Sequence, residues 1–258
     1  MKFKNYFKRS LTVVMAAIMF VALSVVSFKA TPASAATEAI DLYASDYHDE
    51  AGGGVNWVVG NVYIKVSNRG QYYSPISTKK VYLHGTTSET GSWTDTEATY
   101  VGTLADGSLI YKARTDKNFS STPYAKFALK YVVNGNTYWD NNYGQDYTHK
   151  NALGSAVVKA HTYANEAASN SVGGYMDVYA TVKNLAYTKD IKVVYTTNNW
   201  ATTKKAPLNY QFTNDDGSEE WKVDDSVSVP YNAKFYIQYK VNGQTYIDNN
   251  FGNYYSIM

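Results

Sequence analysis

From about position 37 onward, hydrophobic and polar residues alternate with a period of two in short runs, interrupted by Gly, Asn, Asp or Pro. Such alternation sends successive side chains to opposite faces of an extended chain, so it predicts half-buried β-strands and no long helix. Val62-Tyr63-Ile64-Lys65-Val66 and Val178-Tyr179-Ala180-Thr181-Val182 are two such runs. Lys80-Val81-Tyr82-Leu83 and Lys192-Val193-Val194-Tyr195 are two more, each leading to a tryptophan, Trp93 or Trp200. The runs come in pairs because the chain repeats itself. Residues 125–147 read AKFALKYVVNGNTYWDNNYGQDY and residues 233–255 read AKFYIQYKVNGQTYIDNNFGNYY, an offset of 108 without a gap. Solenoid units run about 20–50 residues, so this spacing is a duplicated domain. Several short strands with frequent turns in each copy predict antiparallel β-sandwiches over residues 37–148 and 156–258, joined by a short linker at 149–155.

The two closing hairpins fix their own geometry. Asn134-Gly135 and Asn242-Gly243 are two-residue turns that tolerate positive φ at both positions. They place Lys130 opposite Trp139 and Tyr131 opposite Tyr138, and in the second copy Gln238 opposite Ile247 and Tyr239 opposite Tyr246. Phe127, Leu129, Tyr131 and Val133 then share one core face, and Phe235, Ile237, Tyr239 and Val241 the other. Trp139 and Tyr236 point outward; a one-residue slip would turn them in but expose both apolar rows. Each hairpin ends in Asp-Asn-Asn-aromatic-Gly-x-x-Tyr, at Asp140–Tyr147 and Asp248–Tyr255. Asp and Gly suit a tight turn there. Of each Asn pair, one can shape the turn while the other presents an amide that both donates and accepts.

Lys2, Lys4, Lys8 and Arg9, the apolar run Leu11 to Val26 and Ala33-Ser34-Ala35 read as a secretory signal peptide over residues 1–36. The run is about 16 residues, short of the roughly 20 that span a bilayer. The expected location is therefore extracellular, with no membrane anchor after cleavage. Without residues 1–35 the chain has 19 Lys/Arg against 22 Asp/Glu, a net charge of −3 instead of +2. The basic balance belongs to the leader, so no nucleic-acid partner is implied. With no Cys there is no disulfide, thiolate metal site or thiol nucleophile, and no cofactor or metal is expected. His48, His84, His149 and His161 share no position between the copies and are expected at the surface or in loops. Glu219-Glu220 and Asp224-Asp225 read as solvated charge. A glycosidase needs two carboxylates about 5–10 Å apart in a cleft. Only Asp140 and Asp248 recur, one per copy, so no enzyme is expected.

The phrase VNG-x-TYWDNN-x-G-x-x-Y resembles carbohydrate-binding module family 21, as do Val182-Lys183-Asn184-Leu185-Ala186-Tyr187-Thr188-Lys189 and Asn199-Trp200 in the second copy. This starch- and glycogen-binding family occurs in fungal glucoamylases and in glycogen-targeting phosphatase subunits, and the resemblance covers both copies. It implies an all-β chain of two immunoglobulin-like antiparallel β-sandwich domains in tandem, with α-1,4-glucan bound at surface sites. One family site uses a Trp after an early strand and two hairpin aromatics. Trp200 and Tyr236 match in the second copy, where Ile247 replaces the other ring. Trp93 and Trp139 match in the first, where Ala128 does. Asn141 and Asn249 match the polar partner. The family's second site carries over to Asn184, Tyr187 and Lys189; in the first copy Asn68 matches, but the tyrosines of Gln71-Tyr72-Tyr73 are shifted. Trp221 resembles a buried family tryptophan and is read as core, while Trp57 has no counterpart.

A pyranose has an apolar C–H face and a hydroxyl rim, which flat rings and amides respectively satisfy. The reading is a secreted, non-catalytic α-glucan-binding protein, taking starch, glycogen or maltooligosaccharides, with a separate amylase as a candidate partner. The alternative is an extracellular surface, adhesion or scaffold protein that docks protein or another polysaccharide. A phosphatase-targeting role is opposed by the leader and by the lack of a basic-x-Val-x-Phe segment.

Overall fold

The computed structural model describes residues 39–52, 55–87, 90–114, 125–148, 150, 152–163, 177–224, 227, 229–230 and 232–256, with backbone alone for 48–59. The expected leader, His149, and the side chains of His48 and Trp57 lie outside the described residues. The first half contributes β1 (Ile40–Gly52), β2 (Val55–Val66), β3 (Lys80–Thr86), β4 (Thr94–Glu97), β5 (Thr99–Thr103), β6 (Leu109–Arg114), β7 (Lys126–Val133), β8 (Asn136–Asp140) and β9 (Tyr147–Thr148). The second contributes β10 (Val158–Tyr163), β11 (Asp177–Val182), β12 (Lys189–Thr196), β13 (Lys204–Thr213), β14 (Glu219–Val223), β15 (Lys234–Val241), β16 (Gln244–Asp248) and β17 (Tyr255–Ser256). Among the described residues the rest is turns and short 3₁₀ segments, and no helix is long and apolar enough to cross a membrane.

The strand order can be followed half by half. The first half forms antiparallel sheets β1-β2-β6-β5 and β4-β3-β7-β8, with β9 on β7. The second half runs β10-β11-β14-β13-β12-β15-β16, with β17 on β15. Its single sheet arises because β13 pairs with β12 through Lys204–Pro207 and with β14 from Leu208 onward. In the first half the same path is divided into β4, on β3, and β5, on β6.

Period-two alternation produces each core. Val62, Ile64 and Leu109 meet Leu83, Phe127, Leu129 and Tyr131 in the core of the first half. Val178, Ala180 and Val223 meet Val193, Phe235, Ile237 and Tyr239 across the second. The hairpin registers are those the Asn-Gly turns predict: Lys130 opposite Trp139 and Tyr131 opposite Tyr138, Gln238 opposite Ile247 and Tyr239 opposite Tyr246.

The segment joining the halves is sewn to β1. Ser45 and Ala152 form an antiparallel bridge, Ser155 Oγ donates to Asp41 Oδ1 at 2.7 Å, and Leu153 and Ala156 pack on Ala44. A second contact comes from the turn after β16. Phe251 lies 5.6 Å from the Tyr43 ring and 6.1 Å from the Tyr63 ring. It fits because residue 102 is glycine, where an added Cβ would stand 2.3 Å from Phe251 Cβ. Phe251 is held at φ 56° and cannot retreat cheaply. Gly102→Ala is expected to cost about 1–3 kcal/mol through this overpacking, measured by urea unfolding.

Two expectations about charge are corrected. Glu219 and Glu220 are buried, not solvated: Glu220 is 2% exposed, 2.5 Å from His161 Nε2 and 2.9 Å from Thr181 Oγ1, which donates to it. His161, expected at the surface, is 5% exposed and stacks on Tyr179. Thr181 and Glu220, and Val182 and Glu219, are cross-strand neighbours, and a buried carboxylate is tolerable only with such partners.

Candidate functional site

In the second half a tight turn after β12 presents Trp200. Thr196 Oγ1 accepts from the Asn198 and Trp200 N–H groups at 3.2 and 3.0 Å, and Asn198 Oδ1 accepts from the Thr202 N–H at 2.9 Å. These bonds hold Trp200 at φ 71°, a conformation L-residues occupy only under such constraint. Tyr236, on the outward face of β15, is half-buried with its ring 5.6 Å from that of Trp200. A third ring, Tyr254, lies 4.4 Å from Trp200 and 6.3 Å from Tyr236. Separations in this range suit tilted and offset ring pairs. The resemblance leaves this copy two rings; the structure gathers three, while Ile247 stays 53% exposed.

The turn after the hairpin positions Tyr254. Asn249 Oδ1 accepts from the Gly252 N–H at 3.0 Å, Asn250 Nδ2 donates to the Tyr254 carbonyl at 3.2 Å, and the Asp248 carboxylate accepts from the Asn250 N–H and the Tyr255 hydroxyl. Both asparagines therefore shape the turn, which leaves Asn249 Nδ2 as the amide group to offer. The first half repeats this bonding at Asn141, Asn142 and Asp140, with Asn141 exposed.

The first-half rings are arranged differently. Trp139 is 41% and Trp93 36% exposed. Between them sits His84, stacked on Trp93 at 5.2 Å and edge-on to Trp139 at 5.3 Å. His84, expected as an unremarkable surface residue, thus completes a three-ring group; its cross-strand partner is Ala128, which is buried. Asp95 clamps the group, with one carboxylate oxygen 2.6 Å from His84 Nδ1 and the other accepting from Lys130 Nζ at 2.7 Å. Lys130 in turn lies 5.5 Å above the Trp139 ring. Partial burial pushes the Asp95 carboxyl up, but the hydrogen bonds and charges of Lys130 and His84 outweigh it and hold it below its ordinary 3.8. A carboxyl lowered in this way stabilises fully above 3.8, and the contribution is lost as pH falls through the depressed folded value. In urea unfolding, stability is expected to fall by about 1 kcal/mol at most over that window. Asp95→Asn, assayed in the same titration, removes the pH step.

The residues matched to the family's second site fare unequally. Tyr187 is fully exposed and Asn184 is exposed. Lys189 turns inward: its side chain is 3% exposed, 2.6 Å from Glu219, and it donates to Asn184 Oδ1 at 2.7 Å. Trp221, expected in the core, is half-buried, packs against the second-half core and donates from Nε1 to Glu219 at 3.0 Å. Beside it β13 exposes Tyr210 and Phe212, at 50% and 51%, which the sequence reading did not single out. In the first half Asn68 is half-buried and its Oδ1 has no partner. Tyr72 enters the core against Tyr138, and Tyr73 is the 70% exposed ring.

The second half thus sets three aromatic rings beside an asparagine amide. Residues 156–258 match the family model described as Carbohydrate/starch-binding module (family 21). Among solved structures, the starch binding domain of Rhizopus oryzae glucoamylase, in complex with beta-cyclodextrin and maltoheptaose, is similar at 27% identity. That match covers 40% of this chain and 94% of the other, with a TM-score of 0.32. No curated protein matches the chain.

Proposed function

We propose that the chain is a secreted, non-catalytic α-glucan-binding protein built from two tandem immunoglobulin-like modules, each with an aromatic platform for starch or glycogen. The observation that carries the reading is the open cluster of Trp200, Tyr236 and Tyr254 inside the segment that matches the starch-binding family. The first half joins by repeating the strand order, the terminal turn and a three-ring group. Stacking of a base on an aromatic ring is worth about 1–3 kcal/mol, and a pyranose face offers a similar flat contact. Such platforms bind weakly alone, and two on one polymer gain avidity when both reach it. The proposed lack of catalysis is supported by the carboxylates: Asp140 and Asp248 cap turns, and Glu219 and Glu220 are buried against Lys189 and His161.

The test is retention on granular starch, with cellulose and chitin alongside. The proposal expects retention by starch alone and release by soluble maltooligosaccharide. Equal retention by all three, or by none, would favour a surface or adhesion role. Secretion rests on the leader pattern and is checked by finding the chain in culture medium, shortened near residue 36. A separate amylase as partner is checked by co-retention on the same granules.

A further inference from the structure

Where the halves meet lies a cleft of about 510 Å³, within the range of about 300–1,000 Å³ typical of small-molecule sites. It shares neither tryptophan-bearing turn with the platforms. Tyr63, Tyr100 and Asn61 line it from the first half, and Tyr255, Asn250 and Asn253 from the second. Tyr100 offers an exposed ring, while Lys159 covers the rings of Tyr63 and Tyr255; the asparagine Nδ2 groups already donate within the protein, so the asparagines offer their amide oxygens. Asn61 is 7% exposed; its Nδ2 donates to Asp46 Oδ1 at 2.7 Å, and its Oδ1 is buried without a hydrogen-bond partner. A buried acceptor left unpaired is costly, so a group that donates to it is favoured there.

The charges around the cleft narrow the class of ligand. Asp46 opposes an anion. Lys112, whose ammonium lies 5.5 Å over the Tyr63 ring, opposes a cation. His161 also lines the cleft, but it is engaged with Glu220. What remains to be satisfied is neutral hydrogen bonding beside flat rings. On one side the halves are held together by Phe251 against Gly102 and by Asn253 Nδ2 donating to the Val101 carbonyl at 3.4 Å, which closes that side of the cleft.

We infer that this inter-half cleft binds a short neutral sugar, either a free mono- or disaccharide or the end of an oligosaccharide, with Asn61, Asn253 and Tyr100 among its contacts. The platforms meet the flank of a polymer; the cleft takes a terminus. Tyr100 is 40% exposed and can be altered without opening the core; Asn253 is exposed but bonds across the halves, so its variant is read beside the Tyr100 one at matched thermal stability.

The experiment uses the full chain carrying Trp139→Ala and Trp200→Ala, which disables the platforms, titrated calorimetrically with maltose and glucose. Binding is expected to persist in this variant. It is expected to weaken about tenfold, the loss of one good contact, when Tyr100→Ala or Asn253→Ala is added. Absence of maltose binding in the platform-disabled chain overturns the inference, as does maltose binding indifferent to both cleft substitutions. Calcium chloride or sodium phosphate binding in place of maltose also overturns it, since the ligand would then be an ion. Granule retention by the unaltered chain reads the platforms separately, so either idea can fail without the other.

Discussion

Trp200→Ala is expected to weaken maltoheptaose binding at the second-half platform by about 5–150-fold, since a lost stacking contact of about 1–3 kcal/mol corresponds to that range. The loss has two parts. The indole itself no longer covers a pyranose face, and Tyr254 and Tyr236, packed against it at 4.4 and 5.6 Å, lose the surface that aligns them. Stability is expected to change little, because Trp200 sits in a turn after β12 and contributes no ring to the core group of Val193, Phe235 and Ile237. A melting shift under about 4 °C would be consistent with less than 1 kcal/mol. Trp139→Ala is expected to act likewise in the first half, where the indole is 41% exposed.

Lys159→Met is expected to destabilise the fold by about 3–5 kcal/mol, the scale seen when one member of a buried ion pair is removed. Lys159 is 1% exposed. Its ammonium stands 3.6 Å from Asp248, donates to the Tyr255 hydroxyl, and lies 4.3 Å over the ring of Tyr63 in the other half. Without it the Asp248 carboxylate stays buried with neutral donors alone, the Ala160 N–H at 2.6 Å, the Tyr255 hydroxyl at 2.7 Å and the Asn250 N–H at 3.2 Å. Burial pulls the Lys159 ammonium down, but Asp248, Tyr63 and Asp46 outweigh it and hold it above its ordinary 10.5. Such a raised group stabilises fully below 10.5, and its contribution is lost as pH rises through the higher folded value. Burial likewise holds the Tyr255 phenol above its ordinary 10. Urea unfolding from pH 7 to 11 should therefore show alkaline weakening in the unaltered chain. The Met variant, already lower at pH 7, should show less of it.

The parts of this architecture that could be read from sequence share one property: short-range rules determine them. The Asn-Gly turns set both hairpin registers, and register with period-two alternation set the faces, so the buried row from Phe127 to Val133 and the outward Trp139 follow from about twenty residues of chain. What escaped depends on distant neighbours. His84 joins the first ring group only because Trp93 and Asp95 from one segment and Trp139 from another converge on it. Glu220 is buried because His161, 59 residues earlier, lies beside it. Tyr254 carried a usable signal, since the first copy has Asp146 at that position and nothing in the turn requires an aromatic. Phe251 and Tyr143 show the limit of comparing copies. They occupy the same strained place in matching turns, at φ 56° and 58°, yet Phe251 is packed between the halves while Tyr143 is 86% exposed.

Granule depletion with the Trp139→Ala, Trp200→Ala and doubly substituted chains, each compared with the unaltered chain at matched folding, tests the account most directly. Two weak platforms acting on one polymer predict partial loss for each single change and near-complete loss for the pair, with thermal transitions preserved. Undiminished adsorption of the folded double variant would contradict it, because the glucan would then be held by some surface other than these rings.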